Sequence, residues 1–474
     1  MKELEGSAIA DVWAVFCELC KIPRGSGNEK AVSDFAVNFA RERGWGAKQD
    51  AVNNVLITVP PTVGYEKSKP VILQAHLDMV NEKDGDCKHD FSRDPLDLYV
   101  KDGFLRARGT TLGADNGIGV AMALAFAGDK TKPHPPLEIV LTVEEETTFR
   151  GAKSFDCSAL KGRRLISLDN TREDEIAVGC ARLVGLTLTG DLNAKNNSPI
   201  ETGAVVKISG LAGGHSGTDI LKRRSAFDFT ARVVNELVNM GARISKIDCG
   251  NAANAIARES EITVAIDHKK AEKILKNLEN DFNQELKPEK IKITCAPKNL
   301  DFVLNDADTK RVRDLLMILP NGGQTILSYP DCAESSLNIG KTLIENGKIL
   351  FNVTVRSSIE SLEKRIIDKL RAVAATFALK MDIGVVSPNF ILDERSEFLT
   401  LCRNVFRENY GREIKLVRFH AVVELGVFCD KIRGLETVMF APNLYDIHSP
   451  AERLDIKSTE HMYDYFCKVL ARAK

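Results

Sequence analysis

The feature that most constrains this chain is the stretch 137–143, an apolar run broken only by Glu138 and Thr142 and followed at once by Glu144-Glu145-Glu146. A near-continuous apolar run of this length marks a strand covered on both faces, the kind found in parallel sheets flanked by helices. Three adjacent carboxylates at the end of such a strand repel one another. At a surface they form a solvated acidic patch. At the carboxyl end of an open α/β sheet, where ligands bind, a divalent cation would remove the repulsion.

The surrounding pattern supports a sheet of that type. Residues 55–59, 71–75 and 165–168 read as further strands, 8–20 as an apolar-striped helix, and 117–127 as a small-residue helix suited to burial. Ser26 followed three residues later by Glu29 predicts a capping box that opens a helix over about 28–43. Strands separated by helical stretches argue for an α/β domain with a largely parallel sheet covered by helices. After about Arg182 the texture changes. Alternating runs at 183–189, 204–208 and 351–356 mix with long helices predicted over 223–240, 269–286 and 361–380. From about 386 the first texture returns, with a final helix predicted over 458–472. The expected organisation is a mixed, largely parallel α/β catalytic domain made of 1–183 and 386–474, interrupted by an inserted α+β domain over 184–385.

Composition removes several function classes. Lys and Arg number 65 against 66 Asp and Glu, a net charge of −1, so no whole-molecule field draws nucleic acid or an anionic membrane. No basic cluster interleaved with aromatics appears. No run approaches the roughly 20 apolar residues of a membrane-spanning helix. The opening Met-Lys-Glu-Leu-Glu-Gly lacks a basic-then-apolar signal pattern, which leads us to expect a cytoplasmic protein. The 11 cysteines are odd in number and scattered, as expected of reduced thiols. Cys17 and Cys20 form a C-x-x-C, but inside a helical pattern where packing is the simpler role.

The residues able to do chemistry lie at predicted strand ends. His76 and Asp78 are two residues apart on an extended segment and point the same way. A carboxylate there can hold one imidazole nitrogen while the other binds a metal, or the pair can be a structural hydrogen bond. Asp115 lies in the glycine-rich turn Gly109-Thr-Thr-Leu-Gly-Ala-Asp-Asn-Gly-Ile-Gly119, which leads into the apolar helix. That turn has no G-K-[ST] and is not a phosphate loop; Asp115 is a ligand or a turn cap. Asp169 follows the strand at 165–168, and His448 lies in Ile447-His448-Ser449-Pro450-Ala451-Glu452. Together the strand ends present His, Asp, Glu, Asp and His. Mixed nitrogen and oxygen ligands suit zinc, or manganese and cobalt. A bridging carboxylate with two ligands per ion would make a two-metal hydrolytic site.

Taken in order, several motifs resemble one family. They are Ile22-Pro-Arg-Gly-Ser-Gly-Asn-Glu29, Gln74-Ala-His-Leu-Asp-Met79, Ala107-Arg-Gly-Thr-Thr-Leu-Gly-Ala-Asp-Asn-Gly117, the glutamate-rich strand end, Gly213-Gly-His-Ser-Gly217, Asn254-Ala-Ile-Ala-Arg-Glu259 and His448-Ser-Pro. Over nearly the whole chain they resemble the di-zinc metallopeptidases related to carboxypeptidase G and aminoacylase, and within these the aminoacyl-histidine dipeptidase branch. The resemblance implies that His76 and Asp169 hold one zinc and Glu146 and His448 the other. It implies that Asp115 bridges both, with a cis peptide bond between Asp115 and Asn116, and that Asp78 orients His76. It makes Glu145 the general base rather than Glu144, because the family has base then ligand before a Gly-Ala that matches Gly151-Ala152. His215 would stabilise an oxyanion, often in the partner subunit's site. Asn254 and Arg356 would bind substrate, the guanidinium pairing with a peptide's C-terminal carboxylate. His420 and Glu424 would line the pocket. The inserted domain would act as a lid and carry a homodimer contact.

The implied activity is hydrolysis of unblocked dipeptides, Xaa-His or β-Ala-His among them. The alternatives are an amidohydrolase for N-acyl amino acids and a non-catalytic binding protein on the same fold. The chain departs from the family at two places. It reads His420-Ala-Val-Val-Glu-Leu-Gly426 where His-Ala-Gly-Leu-Glu-Cys-Gly is usual, and Val386-Ser-Pro-Asn-Phe390 occupies the region of a Tyr-Pro-Gly-Trp segment. The metal positions are intact, so the resemblance carries two-metal hydrolysis further than it carries a preference for C-terminal histidine.

Overall fold

The computed structural model of the protein describes residues 2–287, 289–326 and 332–474. The chain divides into two compact units. One consists of Met1–Gly179, Phe390–Val417 and Val423–Lys474, the other of Cys180–Asn389 and Arg418–Val422.

The first unit is built on a mixed sheet. Its centre is parallel: Leu137–Thr142, Val71–His76, Arg164–Ser167 and Glu436–Met439 lie side by side in that order. Every residue of Val71–His76 and of Leu137–Thr142 is buried, as a strand covered on both faces requires. The flanks are antiparallel, with Gly46–Gln49 and Val55–Val59 at one side and Glu175–Cys180 beyond Glu436–Met439. The helix Ala114–Gly128 packs its small residues into the core shared with Ala10–Leu19 and Ile456–Arg472. Because the central strands run the same way, the residues that follow His76, Thr142 and Ser167 leave the sheet at one edge.

Two local expectations are corrected. No capping box forms. The helix is Lys30–Arg41, with no side-chain hydrogen bond at its N-cap, and the Ser26 hydroxyl instead donates to Asp78 Oδ2 at 2.7 Å. Glu29 accepts from the N–H groups of Gly27 and Glu144 at 2.9 and 3.0 Å. Buried tertiary partners thus displace the local ones. The helix predicted over 361–380 is Glu360–Thr376, and Lys380–Ser387 forms a strand paired with Arg182–Asp191.

The second unit is an antiparallel sheet in the order Lys292–Leu304, Ala194–Ser209, Ser260–Ala265, Arg243–Gly250, Ser335–Glu345, Lys348–Ser357, Arg182–Asp191, Lys380–Ser387. Ala226–Asn239, His268–Glu285, Asp306–Ile318 and Glu360–Thr376 contribute Phe227, Phe282, Leu315 and Ile366 to its core. Val184, Leu186 and Leu188 are buried while their neighbours are half exposed, the alternation of a sheet with one solvated face.

Candidate active site

Five of the named side chains come together: His76, Glu146 and Asp169 at the ends of the parallel strands, Asp115 in the turn that opens the helix Ala114–Gly128, and His448 in the loop after Leu444–Tyr445. His76, the last residue of its strand, is 1% exposed. Its Nε2 lies 3.2 Å from Asp115 Oδ1 and 3.8 Å from Asp169 Oδ1. On the other side, His448 Nε2 lies 3.3 Å from Asp115 Oδ2 and 3.0 Å from Glu146 Oε1. Each oxygen of Asp115 therefore faces a different imidazole. The peptide bond between Asp115 and Asn116 is cis.

The electrostatics of this cluster ask for positive charge. Burial pushes Asp169 well above the usual carboxylate range, and the charges on Asp115 and Glu146 add to the effect. Burial likewise pushes Glu145 well up, against the opposing influence of His76, with Asp169, Glu146 and Glu424 reinforcing it. Asp115 and Glu146 hold the His448 imidazole at about 10. Ligand atoms of His76, Asp115 and Glu146 lie within 4.8 Å of one another. A nitrogen and several carboxylate oxygens so crowded suit a divalent cation of the zinc, manganese or cobalt kind.

Asp78 organises the cluster from behind. It is fully buried, and its Oδ1 is 3.3 Å from His76 Nδ1. The N–H of Glu145 donates to Oδ1 at 3.0 Å, and the N–H of Glu146 and the Ser26 hydroxyl donate to Oδ2 at 3.1 and 2.7 Å. With Nδ1 engaged on the Asp78 side, Nε2 of His76 is left facing Asp115 and Asp169. Burial alone would raise the Asp78 pKa; the His76 imidazole, the Ser26 hydroxyl and the Glu145 N–H bring it below the usual value. Asn116 accepts from the His76 N–H and donates to the Leu168 carbonyl, tying two strand ends together. Glu144, at φ 51°, turns away to meet Arg150 Nη1 at 2.8 Å and the Thr148 hydroxyl, so the three glutamates do not share one direction.

His215, Asn254, Arg356 and His420 belong to the second unit. His215 lies on the two-residue strand Gly214–His215, paired with Ala255–Ile256. Its Nδ1 accepts from the N–H groups of Gly217 and Thr218, both at 3.3 Å, which puts the ring proton on Nε2. Burial and the Arg356 charge lower its pKa, so the ring stays a neutral donor. Arg356 Nη2 is 3.3 Å from that Nε2 and 3.4 Å from the Ser216 hydroxyl. Arg356 is 2% exposed, and its Nε and Nη1 are buried without a partner. Burial lowers its pKa to about 10. Two donors side by side with open N–H groups form a receptor for an anion.

Asn254 is exposed, and its carbonyl accepts from the Ser216 N–H. His420 is buried with Nε2 2.7 Å from the Ser336 hydroxyl, and Ser336 is the cross-strand partner of Arg356. Glu424, expected in the pocket wall, is instead packed behind the strand ends of the first unit. Its Oε2 accepts from Gln74 and Thr142, both at 2.7 Å, and Oε1 is buried without a partner. Two neighbouring buried strands offered it donors, and that drew the side chain into the sheet's packing. The sequence marks no role for Arg24, Ser336 or Glu452, although Arg24 and Glu452 stand inside the motifs Ile22–Glu29 and Ile447–Glu452, and it offers Ser26 only as a helix cap.

Residues 72–472 match the model of peptidase family M20/M25/M40. The cytosol non-specific dipeptidase of Escherichia coli (strain K12) is 33% identical over 488 residues, covering 99% of this chain and 99% of that protein. The crystal structure of aminoacylhistidine dipeptidase from Vibrio alginolyticus superposes with a TM-score of 0.87 at 31% identity, covering 99% of each chain. Aminopeptidase PepT from Bacillus cereus shares the fold, with a TM-score of 0.56 at 15% identity over 98% of each chain. No described helix is long and apolar enough to cross a membrane. With a family match over most of its length and a relative one-third identical from end to end, the chain belongs to peptidase family M20/M25/M40, a family of metal-dependent peptidases.

Proposed function

We propose that this protein is a dipeptidase that hydrolyses unblocked dipeptides in the cytoplasm, with Xaa-His and β-Ala-His within its range, and that it works as a homodimer through the inserted unit. The observation that carries the reading is Asp115, whose two oxygens face His76 and His448 at 3.2 and 3.3 Å with Asp169 and Glu146 beside them. On this reading His76 and Asp169 hold one divalent cation, Glu146 and His448 hold a second, and Asp115 serves both. The donor set favours zinc, with manganese and cobalt as alternatives. When bound, such a pair polarises the scissile carbonyl and acidifies water.

The chain's own groups do the rest. Glu145 takes a proton from the attacking water on its carboxylate and delivers it to the leaving amine. The burial that raises its pKa suits it to holding that proton. The Nε2–H of His215 donates to the carbonyl oxygen as negative charge develops there. The open N–H groups of Arg356 take the C-terminal carboxylate, and Asn254, whose backbone carbonyl accepts from the Ser216 N–H, contributes to holding the substrate. The name of the Escherichia coli relative, a non-specific dipeptidase, supports a broad substrate range, as does the altered segment from His420 to Gly426.

The test is a panel of free dipeptides, including β-Ala-His, set against N-acyl amino acids. The protein is supplied with zinc, manganese or cobalt, and Glu145→Gln is the control. Free dipeptides are expected to be cleaved in preference, and the variant to lose roughly 10²–10⁴ in kcat. Faster turnover of N-acyl amino acids, or a variant with wild-type kcat, overturns the reading.

A further inference from the structure

Beneath the cluster lie a buried arginine and a buried glutamate that the reading above does not use. Arg24 and Glu452 are each 2% exposed. Arg24 Nη1 donates to the carbonyl oxygens of Leu77 at 3.0 Å and Asp78 at 3.2 Å, and its Nη2 donates to that of Gly113. Glu452 receives four backbone N–H groups: Leu112 and Gly113 donate to Oε2 at 2.8 and 2.9 Å, and Ala114 and Asp115 to Oε1 at 2.9 and 3.3 Å. The guanidinium thus grips a carbonyl of the turn that carries Asp115, and the carboxylate grips its amides. The same guanidinium holds the carbonyls just after His76, and Glu452 stands four residues after His448.

The glycines of the turn belong to this arrangement. Gly113 has φ +64°, and a Cβ there would come within 2.6 Å of Arg24 Nη2; a Cβ on Gly117 would come equally close. The sequence Gly-Ala-Asp-Asn-Gly therefore makes room for an arginine of the same chain.

We propose that Arg24 and Glu452 are positioning residues that clamp the segments carrying His76, Asp115 and His448 and so set the spacing of the two cation positions. The inference rests on the metal roles given above. A carboxylate accepts two N–H groups on each oxygen. An amide in its place accepts on one oxygen only and turns its own N–H groups toward two donors, so the turn must shift. Lysine in place of Arg24 offers a point charge without the fork that spans three carbonyls. Loss of such outer partners characteristically weakens metal binding by about 10–100-fold.

The experiment uses Glu452→Gln and Arg24→Lys in the full chain. Zinc is titrated into metal-free protein, thermal melting is followed, and kcat and KM are measured on the dipeptide that the wild type cleaves fastest. The clamp predicts that zinc affinity at one or both positions falls about 10–100-fold. It also predicts that kcat at saturating zinc falls at least about tenfold while KM stays within about threefold, because neither residue touches substrate. A cooperatively melting variant with wild-type zinc affinity and kcat overturns the proposal, as does a loss confined to thermal stability. If Glu452→Gln yields no folded protein, Arg24→Lys decides by the same readouts. A wild type that cleaves no dipeptide would sink the dipeptidase reading but leave the zinc titrations to judge the clamp.

Discussion

Replacing Glu424 with glutamine should change how the stability of the first unit responds to pH. The carboxyl is 1% exposed, with Oε2 holding Gln74 and Thr142 and Oε1 lacking a partner. Burial raises its pKa from 4.5 to about 7. A group whose folded pKa lies above its unfolded one keeps an extra proton in the folded state. Its stabilising contribution is therefore complete below pH 4.5 and is lost as pH rises through about 7. Between pH 5 and pH 8 that loss amounts to about 2.5 kcal/mol. Glutamine has the same shape and does not titrate. Urea unfolding of metal-free wild type and Glu424→Gln at the two pH values gives the difference directly. The fluorescence of Trp13 and Trp45, both in the first unit, reports on the relevant transition. Relative to wild type, the variant should gain about 2.5 kcal/mol on going from pH 5 to pH 8. Other buried acids titrate in both proteins and cancel in the difference. A gain under about 1 kcal/mol would mean that Glu424 is ionised in the fold and that the burial argument is wrong.

Two further outcomes follow from the second unit's donors. Arg356→Ala removes the guanidinium proposed to hold the peptide carboxylate. It should lower kcat/KM by roughly 10–100-fold, mostly through KM, and leave peptides amidated at the C-terminus unaffected; an equal loss on both substrates refutes the assignment. His215→Ala removes a neutral Nε2–H donor and should lower kcat by roughly 10²–10³ with little change in KM, measured in steady state on the same dipeptide. A rise in KM alone would place His215 on substrate binding instead.

The site and its support were legible to different degrees. His76, Asp115, Glu146, Asp169 and His448 could be picked out because each follows or opens an element whose apolar pattern is strong, and open sheets gather strand ends at one edge. The orientation of Glu144 could not. Three glutamates in a row look alike until a positive φ turns one of them toward Arg150. The expected bond between Ser26 and Glu29 failed for a related reason. The hydroxyl found Asp78, a buried acceptor 52 residues away, and local capping lost the competition.

The sequence by itself determined which segments are buried on both faces, where they end, and which ionisable residues stand at those ends. Periodicity and residue type record burial locally, and every copy of the chain carries that record. Only the tertiary structure decided which ends become neighbours: that Asp115 stands between His76 and His448, that backbone amides set the His215 proton on Nε2, and that Glu452 reaches the turn at Leu112 across 340 residues. Hydrogen bonds at such separations leave no periodic trace. They depend on the sheet having first brought its strand ends to one edge, where buried donors and acceptors must find partners or bear the cost of desolvation.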